Sequence, residues 1–388
     1  MPLPNANWNY PTSIRFGNGR ISELPEVCRA LGIARPLLVT DPWLAALPIV
    51  TGTVAAMNAA GAETAVFSAI HSNPVGADVE AGVQAYKSGG HDGVIAFGGG
   101  SALDVGKVVA FMSGQTRPIW DFEDVGDCWS RADPAGIAPI VAVPTTAGTG
   151  SEVGRAGVIL DQEAHTKKII FHPKMMPAVV ILDPELTLGL PPHITAATGM
   201  DALSHCLEAY CAPAFHPMGD GIAAEGIKLI HDWLPRAVAN GSDIDARGHM
   251  LVAASMGATA FQKGLGGMHA LSHPIGALHG SHHGLTNAVI MPYVLAYNRP
   301  EIQVQISRLA GFIGLRQASY EGFLDWILEL RESLGIPHRL SDLDIPADLV
   351  EQVASMAEAD PSAAGNPMPF DRAAARLVFQ AAMEGRLR

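Results

Sequence analysis

The alternation of residues 12–185 restricts the fold more than any other feature of this chain. Six short apolar, β-rich runs occur there: Ile14–Phe16, Leu37–Thr40, Ala65–Phe67, Val94–Phe97, Ile140–Val143 and Val179–Leu182. Several end in Gly, Asp or Pro, and Ala-rich helical stretches such as Leu44–Ala60 and Val79–Ser88 lie between them. This pattern predicts βα units around a mostly parallel sheet. After Pro191-Pro192 strand-like runs nearly vanish, and helical patterns dominate from Ile194 to Arg388. At 388 residues the chain is too long for one compact core. The expected division is an α/β domain over 1–187 and an all-helical domain over 188–388.

Composition limits the function classes. With 48% hydrophobic residues, 41 glycines and 16% charged residues, the chain reads as a well-buried globular enzyme. A formal charge of −13 disfavours nucleic acid and anionic membranes as partners. Met1–Pro11 has neither a basic n-region nor an apolar h-region, and no apolar run approaches a membrane span. Neither a signal peptide nor a transmembrane segment is expected. The four cysteines, at 28, 128, 206 and 211, form no C-x-x-C pair, so a reducing cytoplasm is the expected compartment.

Chemistry-bearing residues stand at the strand ends. Val94–Phe97 runs into Gly98-Gly99-Gly100-Ser101-Ala102-Leu103-Asp104 and then a helical stretch. Glycines at such a turn let backbone N–H groups approach a diphosphate, and the helix N-terminus favours its negative charge. The next strand leads into Pro144-Thr145-Thr146-Ala147-Gly148-Thr149-Gly150-Ser151-Glu152, whose hydroxyls suit ribose, phosphate or a carboxamide. Asp41 ends the strand Leu37–Thr40, where a carboxylate accepts hydrogen bonds from an adenosine ribose and repels a 2′-phosphate.

The helical half holds a second constellation. Five of the fifteen histidines fall within Gly266–Gly284. His269 and His273 are four apart and share a helix face, and His282–His283 follow a Pro274/Gly276/Gly280 break expected to fold the chain back. Upstream, Asp201 and His205 share a face at the same spacing. With His269, and with either His273 or a later histidine, they supply one carboxylate and three imidazoles for a divalent metal. Spacing alone leaves the fourth ligand open.

Taken together, these motifs, with Asp183-Pro184-Glu185-Leu186-Thr187 and Gly199-Met200-Asp201-Ala202-Leu203-Ser204-His205, resemble the iron-containing, or group III, alcohol dehydrogenases. The resemblance runs from Ile14-Arg15-Phe16-Gly17 to Asn366-Pro367. It implies a Rossmann-like, dinucleotide-binding α/β domain followed by an all-α metal-binding domain, the dehydroquinate synthase-like architecture. By motif position, Asp201, His205, His269 and His283 would be metal ligands, and His273 a catalytic histidine near the nicotinamide. Gly99, Gly100 and Ser101 would hold the diphosphate, with Asp104 closing that motif. Thr145, Thr146 and Thr149 would line the cofactor cleft, Asp41 would face the ribose, and Asn73 and Lys167 would also contact cofactor.

The implied reaction interconverts an alcohol with an aldehyde or ketone by hydride transfer with NAD(H). The metal would polarise the carbonyl oxygen, and His273 would relay protons. Fe²⁺ is the family's usual metal, and Zn²⁺ suits the same ligands. The family resemblance also implies a homodimer or higher homo-oligomer. The alternative is a sugar-phosphate cyclase of the dehydroquinate synthase kind, a lyase using NAD and a divalent metal. Ala110-Phe111-Met112-Ser113-Gly114 lacks the Arg-Gly pair those enzymes carry after the glycine turn. Gly154-Arg155-Ala156-Gly157 and Asn366-Pro367-Met368 depart from the dehydrogenase pattern and bear on the substrate pocket rather than the ligand set.

Overall fold

The computed structural model describes residues 10–387; Met1–Pro11, read above for a leader, lies through residue 9 outside them. The chain divides into two compact units, one spanning Pro11–Gly189 and the other carrying Leu190–Arg388.

The first unit contains eight strands: β1 (Ser13–Phe16), β2 (Pro36–Val39), β3 (Ala65–Phe67), β4 (Gly93–Gly98), β5 (Ile140–Pro144), β6 (Ala156–Asp161), β7 (Thr166–Phe171) and β8 (Val179–Leu182). Six form one sheet in the order β1-β8-β5-β4-β2-β3, with every neighbouring pair parallel. Helices α1 (Leu24–Ala30), α2 (Pro42–Ala45), α3 (Pro48–Ala59), α4 (Gly76–Ser88) and α5 (Gly100–Met112) make the crossovers. β2, β4 and β5 are buried along their whole length, which explains their unbroken apolar sequences. β4 and β5 pair from Val94↔Ile140 to Gly98↔Pro144, so the turns that follow them open side by side. That carboxyl end is where open α/β sheets take ligands.

Two local expectations need correction. Leu44–Ala60 is not one helix but α2 and α3, because Leu47, before Pro48, is held extended at φ −82°, ψ 152°. The antiparallel hairpin β6–β7 was not expected at all. Its β6 strand alternates half-buried and buried residues, a one-faced pattern weaker than the continuous runs of the main sheet.

The second unit is built from α6 (Pro192–Cys211), α7 (Pro217–Ala239), α8 (Ile244–Ala260), α9 (Gly267–His279), α10 (His283–Phe312), α11 (Tyr320–Ser333), α12 (Val350–Ala359) and α13 (Arg372–Glu384). No strand occurs there among the described residues. α6 is buried without interruption from Gly199 to Cys211. A helix enclosed on all sides must find partners for its polar residues inside the protein, and Asp201, Ser204, His205 and Glu208 all lie in this stretch. The expected break at Pro274 and Gly276 is absent. α9 passes through both and stops only at Gly280, which takes the left-handed conformation at φ +72°. Among the described residues, no helix is long and apolar enough to cross a membrane.

Candidate metal centre and nucleotide site

α6 sets Asp201 and His205 one turn apart, and the first turn of α9 brings His269 against them. The ligand atoms of these three buried residues all lie within 4.8 Å of one another. The His205 and His269 rings stack with centroids 4.8 Å apart. His283 opens α10, with its Nε2 3.7 Å from Asp201 Oδ1 and its ring 5.2 Å from that of His269.

One turn further along α10, the buried amide of Asn287 tests whether these groups converge. Its Nδ2 donates to Asp201 Oδ1 at 3.0 Å and lies 3.2 Å from His283 Nε2 and 3.3 Å from His269 Nε2. Three potential ligand atoms from three elements thus lie within 3.3 Å of one nitrogen. A carboxylate and imidazoles arranged this way suit a divalent transition metal. Electrostatics agree. Burial works against charge on His269, but Glu208, followed by Asp201 and Asp360, outweighs it and holds the pKa above the ordinary histidine value. Positive charge is favoured at this position.

His273 lies one turn beyond His269 on α9, its ring stacked on that of His283 at 5.5 Å. Its Nδ1 is 2.8 Å from Asp360 Oδ2. Burial pushes the Asp360 carboxyl up, but His273 and the Ser362 donors outweigh it and leave it below its ordinary range. Asp360 is therefore an ionised acceptor that fixes the His273 ring.

In the first unit, α5 starts at Gly100 with Gly99 as its N-cap and no side chain capping it, which leaves first-turn N–H groups for an anion. The turn is packed against the loop after β5. A Cβ at Gly99 would lie 3.3 Å from Thr146 Cγ2, and one at Gly100 only 2.6 Å from Thr149 Cγ2. Ser101 Oγ donates to the Ser72 carbonyl at 2.6 Å, bringing the segment with Asn73 to the same turn. Thr145 is buried, and its N–H donates to the Gly98 carbonyl at 3.0 Å.

The other nucleotide candidates are placed differently. Asp104 gives both oxygens to the protein: Oδ1 accepts from Ser151 Oγ at 2.5 Å and Oδ2 from the Val158 N–H at 3.0 Å. Buried Lys107 adds bonds to the Ser151 and Ala156 carbonyls, so the two residues tie α5 to the Thr-rich loop. Asp41 follows β2 and caps α2, accepting from the Leu44 N–H at 2.8 Å. Lys167 sits on β7 opposite Leu160. Its neighbour Lys168 pairs with Asp161 at 2.9 Å and lies over Trp120, and alternation on a strand directs the two lysines to opposite faces.

Three residues of the second unit escaped the sequence reading: Glu208, Asn287 and Asp360. For two of them a local signal existed. Glu208 continues the Asp201/His205 face at i+3 from His205, and Asn287 is i+4 from His283. Asp360 carried only a loop signal before Pro361.

A parallel Rossmann-like sheet with an uncapped glycine turn, followed by a helical unit with a buried carboxylate–imidazole cluster, defines a two-domain enzyme of the dehydrogenase and cyclase architecture. Residues 11–184 match the family model of the iron-containing alcohol dehydrogenases, and residues 195–383 match the C-terminal model of the Fe-containing alcohol dehydrogenase family. The chain belongs to the iron-containing alcohol dehydrogenase family. It is similar to 4-hydroxybutyrate dehydrogenase of Cupriavidus necator, 38% identical and covering 96% of this chain and 99% of that one. The crystal structure of 1,3-propanediol oxidoreductase superposes with a TM-score of 0.92 at 34% identity, covering 97% and 100% of the two chains. Sulfoacetaldehyde reductase from Bifidobacterium kashiwanohense, solved in complex with NAD⁺, gives 0.88 at 30% identity and covers 98% and 99%. The chain is an alcohol oxidoreductase, and the cyclase alternative falls away.

Proposed function

We propose that this enzyme interconverts an alcohol and its aldehyde or ketone with NAD(H) and a divalent metal, Fe²⁺ or Zn²⁺. Asp201, His205, His269 and His283 are the metal ligands, within a metal-binding domain of residues 188–388. Gly99, Gly100, Ser101, Asn73, Thr145, Thr146, Thr149, Asp41 and Lys167 serve the cofactor within residues 1–187. Asp104 serves it indirectly, by fixing the loop. The observation that carries the proposal is the convergence of Asp201, His269 and His283 on one amide nitrogen. We also read the enzyme as cytoplasmic and as a homodimer or higher homo-oligomer.

When bound, the metal supplies positive charge against the negative charge that develops on the substrate oxygen. NAD supplies the hydride acceptor at its nicotinamide ring. The chain's own part is positioning and proton handling. First-turn N–H groups of α5 hold the diphosphate, and the Asp41 carboxylate disfavours a 2′-phosphate. His273 has its Nδ1 on Asp360, leaving Nε2 to pass the alcohol proton toward solvent. Two of the relatives above are named for substrates with an acidic group, and that supports a substrate with an anionic far end.

His273→Ala is expected to lower kcat by about 10²-fold and to flatten the pH–rate profile, with bound metal unchanged. Steady-state rates across pH check this. Unaltered turnover and an unaltered profile would remove His273 from the mechanism.

A further inference from the structure

Glu208 lies within the core of the helical unit, with its side chain 4% exposed. Both carboxylate oxygens are engaged on the same turn of α9. Oε2 is 2.6 Å from His269 Nδ1, and Oε1 accepts the Met268 N–H at 2.6 Å. We propose that Glu208 is the positioning residue of the metal centre, setting the tautomer of His269 while holding the first turn of α9 against α6. The inference rests on the metal reading above.

The tautomer follows from what faces each ring nitrogen. A neutral imidazole has one N–H and one lone pair, and an ionised carboxylate only accepts. Nδ1, against Glu208, therefore carries the hydrogen. Nε2 faces the donor amide of Asn287 at 3.3 Å and presents its lone pair. The Glu208 contact thus leaves the ligand electrons on Nε2, directed into the cluster. An outer carboxylate that fixes a histidine in this way also raises its basicity as a ligand.

Holding the turn is a separate task of the same side chain. The N-cap of α9 is Gly266, which has no side chain, and a Cβ there would lie 3.0 Å from Asn366 Oδ1 and 3.1 Å from Glu208 Oε1. Capping is delegated to distant residues. Asn366 accepts the Gly267 N–H at 3.0 Å and is itself held by a reciprocal amide pair with Asn298 at 2.7 and 2.8 Å. Glu208 takes the next N–H along. The residue immediately after Met268 is His269, so a shift of this turn moves the ligand directly.

Glu208→Gln separates these roles. A glutamine keeps the size and can still accept from the Met268 N–H, but its NH₂ then faces His269 Nδ1 and demands the opposite tautomer. The expected result is a folded variant, with the melting temperature of the metal-free form within a few degrees of the parent. Its Zn²⁺ affinity, from titration of metal-free protein, is expected to fall about 10–100-fold. In ¹⁵N-labelled metal-free protein, at a pH alkaline enough for His269 to be neutral, that ring, assigned by loss of its signals in His269→Ala, should be protonated at Nδ1 alone in the parent and at Nε2 alone in the variant. A folded variant with unchanged affinity would overturn the proposal, as would a purely structural outcome in which only the melting temperature moves. If the variant fails to fold, the parent spectrum decides alone: a neutral His269 protonated at Nε2 and bare at Nδ1 would refute the assignment. Absence of Zn²⁺ and Fe²⁺ binding by the parent would sink the metal reading instead, and the spectrum reports on Glu208 in either case.

Discussion

Asp201→Asn is expected to lower kcat/KM for alcohol oxidation by about 10³-fold or more and to strip the protein of metal, with the helical unit still folded. Asp201 is the one anionic member of the proposed ligand set, buried within the enclosed stretch of α6. Asparagine fills the same volume, so packing is preserved, but the charge that balances a dication in a dry site is lost. The substituted amide also confronts Asn287 Nδ2, which now donates to Asp201 Oδ1 at 3.0 Å. A metal's stabilisation of charge on a reacting oxygen is worth several kcal/mol, and about 4 kcal/mol corresponds to roughly a thousandfold in rate. Elemental analysis and steady-state rates check it together. An Asn variant that keeps both its metal and its rate would contradict the ligand assignment.

Gly100→Ala acts on the other unit and should leave metal content unchanged. A Cβ at Gly100 would stand 2.6 Å from Thr149 Cγ2 and 3.3 Å from Thr149 Cβ, well inside contact distance. Neither side yields easily. α5 is pinned by the Asp104–Ser151 and Asp104–Val158 bonds, and Gly99 is already close to Thr146. The overlap must therefore separate the glycine turn from the Thr-rich loop. Overpacking of this kind costs about 1–3 kcal/mol, so NADH affinity is expected to fall roughly 5–150-fold. Fluorescence titration with NADH measures it, and unchanged affinity would show that these two turns do not frame the nucleotide.

The difference between these two substitutions mirrors what the sequence makes legible. The inner strands β2, β4, β5 and β8 stand out as apolar runs, because burial on both faces leaves no polar interruption, whereas β1 and β3 at the sheet edges are largely exposed. Asp201 and His205 are visible as a pair because a helix converts a spacing of four into one face. Contacts across the fold have no such signature. Glu208 meets His269 across 61 positions, and His273 meets Asp360 across 87. Proline and glycine were also misleading locally. Pro274 lies inside α9, and only Gly280, in the left-handed conformation, ends that helix. Pro48 does interrupt a helix, through the extended backbone of the residue before it. The same residue types carry different meanings once neighbouring helices enclose them.

Metal dependence of NADH formation tests the central claim most directly. Bound metal is quantified in the purified protein. NAD⁺ reduction is then followed by absorbance with 4-hydroxybutyrate, 1,3-propanediol and short primary alcohols, before chelation, after it, and after anaerobic return of Fe²⁺ or Zn²⁺. The expected result is NADH formation that disappears with the metal and returns with it, fastest with the hydroxy acid. Undiminished NADH formation by fully metal-free protein, or failure to take up any metal after anaerobic Fe²⁺ loading, would contradict it.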